Sequence, residues 1–172
     1  MSHPSILVLD LDNTLITSLT WDKQIECPVG EINWSGPQPD WLIDYTYHNI
    51  TYTEAIFKRP GVCEFIEYCY NKFERIGIWT ASLESRAKAI LSVLIPKHIK
   101  IGFLCARNQD SNCIKCSSSL WDIGIKPSQT IIIDDIIDID AVNEGATLLH
   151  IDAYVIPNKH DRKLLRLVKM LP

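Results

Sequence analysis

The chain has 172 residues, 47% of them hydrophobic and 22% charged, the balance of an ordinary globular protein that buries a core without disulfide staples. A formal net charge of -4 argues against general nucleic-acid binding, and no run approaches the ~20 apolar residues of a membrane span. No charged-then-apolar leader with a cleavage site opens the chain, so its six cysteines are expected to be reduced thiols in an intracellular, cytoplasmic or nuclear compartment.

Ser5-Ile6-Leu7-Val8-Leu9 is an unbroken apolar run, which predicts a strand buried on both faces, as in a parallel sheet. It ends in a polar loop, Asp10-Leu11-Asp12-Asn13-Thr14. From about residue 17 to 58 the pattern breaks down among Pro28, Gly30, Gly36, Pro37 and Pro39, with Trp21, Trp34, Trp41, Tyr45, Tyr47 and Tyr52 between them. This predicts an irregular, aromatic-rich insertion with hairpin elements, too small to be a domain of its own.

Regular structure resumes at Arg59-Pro60-Gly61, after which Val62, Phe65, Ile66, Cys69, Tyr70 and Phe73 recur at helical spacing. Ile76 to Trp79 predicts a second buried strand, ending in Thr80-Ala81-Ser82, and Ala87, Ile90, Leu91 and Leu94 give the next helix one apolar face. Further strands are predicted at Ile99 to Leu104, Thr130 to Ile133 (followed by Asp134-Asp135) and Thr147 to Ile151. Leu164, Leu165, Val168 and Leu171 mark a closing helix, with Lys159, Arg162, Lys163, Arg166 and Lys169 as its solvated face.

Strands alternating with helices predict an α/β protein, a three-layer α/β/α sandwich around a central parallel sheet with right-handed crossovers. The whole chain, 1–172, is read as one domain with no large cap. Ligands of such sheets bind at the C-terminal ends of the strands, where strand order reverses. Asp10/Asp12, Thr80/Ser82 and Asp134/Asp135 all stand at such ends and are expected to share one crevice.

With these residues in place the chain resembles the haloacid dehalogenase superfamily, whose motifs fall in order along it. Val8-Leu9-Asp10-Leu11-Asp12-Asn13-Thr14-Leu15 matches the first, Ile78-Trp79-Thr80-Ala81-Ser82-Leu83 the second, Lys115 the third and Ile131 to Asp135 the fourth. Arg59-Pro60-Gly61 and Thr80-Ala81-Ser82 narrow the likeness to the small phosphatases of the RNA polymerase II C-terminal domain and to NLI-interacting-factor-like proteins. Gly124 to Asp135 is also similar to the capless magnesium-dependent phosphatases of the superfamily. Asp134-Asp135 and Lys115-Cys116-Ser117-Ser118 depart from the polymerase-domain group, which usually has Asp-Asn and Lys-Asp-Leu-Ser there.

The resemblance implies a Mg²⁺-dependent phosphomonoesterase. Asp10 would be the nucleophile that becomes phosphorylated, and would also bind the metal. Asp12 would lend its backbone carbonyl to the metal and its side chain as general acid, then base. Asp135, with Asp134 in support, would complete the metal ligands. Thr80, Ala81 and Ser82 would hold phosphate oxygens at a helix N-terminus, and Lys115 would neutralise charge. The implied substrate is a phosphorylated protein side chain (Ser/Thr or Tyr). A small phosphomonoester or polynucleotide end, transfer of the phosphoryl group, and an idle phosphate-binding module are the alternatives.

Weaker signals leave alternatives open. Cys113-Ile114-Lys115-Cys116, with Cys105 upstream, is read as free thiols against a redox pair or zinc site, since no second cysteine pair appears. Ser82 is either a phosphate contact or only a helix N-cap. Lys126 competes with Lys115 for the third motif. Trp21, Trp34 and Trp41 either bind substrate or pack on one another.

Overall fold

Strand β1 (Ile6–Leu9) is buried along its whole length, as its unbroken hydrophobicity predicts. The computed structural model describes residues 5–31, 33–108, 115–155 and 157–171. After β1 come four antiparallel strands, β2 (Ile16–Asp22), β3 (Cys27–Pro28), β4 (Trp41–Tyr47) and β5 (Ile50–Lys58). Helix α1 (Val62–Lys72), strand β6 (Arg75–Leu83), helix α2 (Glu84–Leu94) and strand β7 (Phe103–Arg107) follow. The short helix α3 (Ser118–Trp121), β8 (Thr130–Asp134), α4 (Asp140–Asn143), β9 (Thr147–His150) and α5 (Lys163–Leu167) end the chain.

The main sheet has five parallel strands in the order β7-β6-β1-β8-β9. Side chains on its strands alternate between two cores. Leu7, Leu9, Ile76, Ile78, Ile131 and Ile133 pack under Val62, Phe65 and Ile66 of α1, Ala87 and Ile90 of α2, and Leu164 and Leu167 of α5. Ile6, Val8, Trp79 and Ile132 face the other way, onto Leu120, Ile125, Ile139 and Ala141. The result is the expected three-layer α/β/α sandwich, with a small antiparallel sheet where a cap would stand. Among the described residues no helix is long and apolar enough to cross a membrane.

Two expectations need correction. The stretch Ile99 to Leu104 is not a strand throughout: the chain turns after α2, with the Ile99 N–H donating to Pro96, and pairing with β6 begins only at Phe103. Buried Ile99 fills the core beneath that turn, so its hydrophobicity reflects packing and not strand formation. The segment from 17 to 58 is also more regular than its prolines suggest. It forms a sheet in the order β3-β2-β5-β4, whose β4–β5 hairpin turns at His48 and Asn49, both with positive φ (47° and 62°).

Arg59, just before α1, is fully buried. Its guanidinium pairs with Asp161 at 3.1 and 3.2 Å and donates to the backbone carbonyls of Thr14 (3.0 Å), Asn13 (3.4 Å) and Asp152 (2.8 Å). It therefore ties the loop after β1 to the C-terminal segment. The next turn needs Gly61, whose φ of 81° is left-handed and where a Cβ would come within 2.9 Å of Leu165. Arg59→Ala would strip its charged partner from Asp161 and a donor from each of three carbonyls, of which Asn13 keeps the Tyr154 N–H. Urea denaturation is expected to show a loss of about 3–5 kcal/mol, the cost of breaking a buried pair from one side. A loss under about 1 kcal/mol would contradict this reading.

Candidate active site

Strands β1 and β8 run in register, Leu9 beside Ile133, so Asp10 and Asp134 emerge side by side at the C-terminal end of the sheet. This is the switch point, because the chain fills β6 and β7 on one side of β1 before crossing to β8 and β9 on the other. The Asp10 N–H donates to the Ile133 carbonyl at 2.9 Å, which carries the pairing one residue past the strand. On the other side Leu9 lies beside Ile78, so buried Thr80 reaches the same end.

The two buried carboxylates are bridged by Lys115, whose Nζ lies 2.6 Å from Asp10 Oδ1 and 2.5 Å from Asp134 Oδ2. Burial opposes the ammonium charge, but Asp10 and Asp134 outweigh it and raise the Lys115 pKa above its ordinary value. The Trp79 ring lies 5.1 Å beneath the ammonium and adds a cation–π contact. Asp134 spends its other oxygen on the Ile136 N–H (2.9 Å), and Asp135 accepts from the Thr14 hydroxyl at 3.2 Å. Lys126, the competing lysine, stands before β8 at the opposite end of the sheet.

Carboxylate oxygens of Asp10, Asp134 and Asp135 lie within 4.8 Å of one another. Burial pushes the Asp10 carboxyl up to about 7 against the pull of Lys115, with Asp134 adding to the rise. Burial also raises Asp135. Crowded hard-oxygen donors with this much mutual repulsion suit a small divalent cation such as Mg²⁺, which would relieve it.

This geometry can be set beside known proteins. The family model of NLI interacting factor-like phosphatases matches residues 5–172. The chain belongs to that family. A CTD phosphatase-like protein of Invertebrate iridescent virus 3 is 27% identical, the match covering 96% of this chain and 94% of that protein. A Dictyostelium discoideum protein named as a C-terminal domain small phosphatase is 29% identical, over 96% of this chain but 49% of that protein. Among solved structures, that of Fcp1, an essential RNA polymerase II CTD phosphatase, superposes with a TM-score of 0.71 at 17% identity, over 96% of this chain and 60% of that one. Fission yeast Fcp1 bound to beryllium fluoride gives a TM-score of 0.64 at 19% identity, over 95% of this chain and 48% of that one. The chain thus spans about half to three fifths of several relatives, and nearly all of the viral one.

Within this phosphatase family member, the remaining expected residues fall into place unevenly. Asp12 is held by Arg86 of α2, at 2.9 Å and 2.8 Å on its two oxygens. Sequence reading passes over Arg86, although a charge four residues before Ile90 on the buried face of α2 is a visible signal. Thr80-Ala81-Ser82 still belongs to β6, and the Ser82 N–H donates to Thr80 Oγ1 at 3.1 Å. Ser82 is not the helix N-cap. Leu83 holds that position without a side-chain bond, and Ser82 Oγ instead accepts from Arg86 at 2.8 Å.

Trp21 is buried, edge-on to Trp34 at 6.4 Å between ring centroids, in a cluster with Ala55 and Phe57. Trp41 packs against the main core with Lys58 over its ring. Cys27, Cys63, Cys69 and Cys105 are free thiols, whereas Cys116 is disulfide-bonded, which corrects the expectation of reduced thiols at that position. Cys113 lies outside the described residues. A cavity of about 240 Å³ is lined by Thr80, Cys105, Lys115, Ser119 and Asp122, and Lys115 is its link to the carboxylates. A larger one, about 1040 Å³, lies between the insertion and the C-terminal segment and includes none of them.

If the carboxylate cluster holds Mg²⁺, millimolar MgCl₂ raises the melting temperature of the wild-type protein and leaves Asp135→Asn unmoved. Free metal at a hundred times Kd corresponds to about 2.7 kcal/mol. Equal shifts in both proteins would take Asp135 out of the metal site.

Proposed function

We propose that the chain is a Mg²⁺-dependent phosphomonoester hydrolase that works through an aspartyl phosphate on Asp10, with a phosphorylated Ser/Thr or Tyr side chain of a protein as substrate. The observation that carries this reading is the meeting of Asp10, Lys115, Asp134 and Asp135 at the switch point of the sheet. A carboxylate attacks a phosphate only where the charge of both is offset, and Lys115 supplies such an offset at the attacking group.

In this reading Asp10, the Asp12 carbonyl and Asp135 hold the metal, with Asp134 in support. When bound, Mg²⁺ would screen phosphate charge as a Lewis acid. A carboxylate oxygen of Asp10 bonds to phosphorus as the ester P–O bond breaks, and Asp12 gives a proton to the leaving oxygen. Asp12 then takes a proton from water as the water oxygen bonds to phosphorus and the bond to Asp10 breaks. Thr80, with the backbone of Ala81 and Ser82, contacts the phosphate oxygens, and Lys115 follows the charge from carboxylate to phosphoryl group.

A protein substrate is favoured by the small sheet that stands in place of a cap, because it leaves the crevice open to a side chain presented on a larger surface. The likeness to C-terminal domain phosphatases points the same way. Trp34 and Trp41, with Trp21 behind Trp34, are the proposed contacts for the flank of that substrate.

The deciding experiment measures phosphate release from phosphopeptides and from an aryl phosphate with Mg²⁺, then after EDTA. Turnover is expected with metal and not without it, and Asp10→Asn, folded by its melting curve, is expected to lose essentially all of it. Turnover by Asp10→Asn near the wild-type rate would end the covalent mechanism. Hydrolysis of nucleotides or sugar phosphates in preference to every phosphopeptide would move the reading to a small-molecule phosphatase.

A further inference from the structure

The guanidinium of Arg86 is buried, and each of its N–H groups has an acceptor. Nε donates to Glu54 Oε2 (2.8 Å), Nη1 to Asp12 Oδ2 (2.9 Å) and Ser82 Oγ (2.8 Å), and Nη2 to Asp12 Oδ1 and Ser18 Oγ (both 2.8 Å). Glu54, itself buried, accepts from the Tyr45 hydroxyl at 2.9 Å with its other oxygen. Ser18, Tyr45 and Glu54 come from β2, β4 and β5, that is, from the antiparallel sheet of the insertion. A continuous chain of charge-assisted hydrogen bonds therefore runs from that sheet through Arg86 to Asp12.

The electrostatics agree with the geometry. Burial opposes the charge on Arg86, but Asp12 and Glu54 outweigh it and raise its pKa. Burial likewise opposes ionised Glu54, and the bonds from Arg86 and Tyr45 overcome it and hold the carboxyl below its ordinary value. Asp12 is different in kind. Its side chain is 34% exposed, and it precedes Asn13, whose φ of 61° is left-handed. A partly exposed carboxylate on such a loop has rotamers to choose from, and the planar fork of an arginine selects one.

We propose that Arg86 is a positioning residue for Asp12, held in turn by Glu54, Tyr45 and Ser18, so that the insertion sheet sets the geometry of proton transfer to and from the reacting oxygen. This rests on the reading of Asp12 as the proton donor and acceptor. Each Asp12 oxygen, with about two lone pairs, keeps one for the proton while accepting from Arg86. In the first step the proton passes from Asp12 to the leaving oxygen as its bond to phosphorus breaks. In the second it passes from water to Asp12 as the water oxygen bonds to phosphorus and the phosphorus bond to Asp10 breaks. Misplacement of the carboxylate harms both steps, and the first most where the leaving oxygen is most basic.

The test compares wild type, Arg86→Gln, Glu54→Gln, Asp12→Asn and the Asp12→Asn/Arg86→Gln double variant. Substrates are aryl phosphates of graded leaving-group basicity and a phosphoserine peptide. Arg86→Gln is expected to lower kcat on the peptide roughly a hundredfold, on the scale of general acid catalysis, and on a nitro-substituted aryl phosphate less than about tenfold, with little change in KM. In the Asp12→Asn background the same substitution should add less than about threefold, since its partner is already disabled.

Glu54→Gln keeps the shape of the network and is expected to reproduce the leaving-group pattern at smaller size, which covers the case of an Arg86 variant that fails to fold. A loss uniform across leaving groups, or full additivity with Asp12→Asn, would make Arg86 a staple between α2 and the insertion and overturn the proposal while leaving the phosphatase reading standing. Wild-type protein inactive on every phosphomonoester would sink both.

Discussion

Lys115 sits where two neighbouring parallel strands deliver two buried carboxylates to one point, and its ammonium makes that point chemically possible. In-register pairing of β1 with β8 leaves no room for Asp10 and Asp134 to diverge. Without a cation between them, two ionised groups so deeply buried would repel each other and forfeit hydration with nothing in return. With Lys115 in place, Asp10 is still pushed up to about 7, chiefly by burial. The remaining repulsion defines the chemical character of the site: it calls for more positive charge, from a divalent cation at the carboxylates or from protons.

The same principle recurs along the loop that follows β1. Lys115 holds Asp10, Arg86 holds Asp12, and Arg59 holds the carbonyls of Asn13 and Thr14. Three cations, each largely or wholly buried, thus grip successive parts of five residues, and each is anchored elsewhere: at Asp134, at Glu54 and at Asp161. Buried ion pairs of this kind add little net stability compared with a well-packed apolar core, because desolvation cancels most of the attraction. What they supply is a single geometry. A loop that needed only to connect two strands would not require it, whereas a loop that must place a nucleophile and a proton carrier would.

This explains which features are legible in the sequence. The buried strands of the sheet announce themselves as short apolar runs, and Asp10, Thr80 and Asp134 are found because they lie at strand ends, where position follows directly from periodicity. Lys115 is found only through its motif resemblance, since nothing local marks it. Arg59 is visible as the start of a motif, but not as the clamp on residues 13 and 14, because its partners lie far along the chain in Asp152 and Asp161. Arg86 is a charge on an apolar helix face, a signal whose meaning depends on Glu54 and Asp12 arriving opposite it. Hydrophobic Ile99 misleads because burial under a turn and burial in a strand leave the same residue type.

The insertion is tied to the candidate site by these contacts more than by its aromatics. Trp21 has little free surface, since it backs Trp34 and lies over Ala55 and Phe57. That packing stiffens the sheet formed by β2 and β5, and Ser18 and Glu54 of these strands are two of the partners of Arg86. The aromatic cluster and the polar network are therefore two sides of one device. Apolar packing fixes the strands, the strands fix a half-buried serine and a buried glutamate, and these fix the arginine that grips Asp12. Any contact a large substrate makes with the exposed parts of Trp34 or Trp41 bears on the same strands. Under the proposed function, substrate binding and placement of Asp12 would share a mechanical base, although their chemistry would be separate.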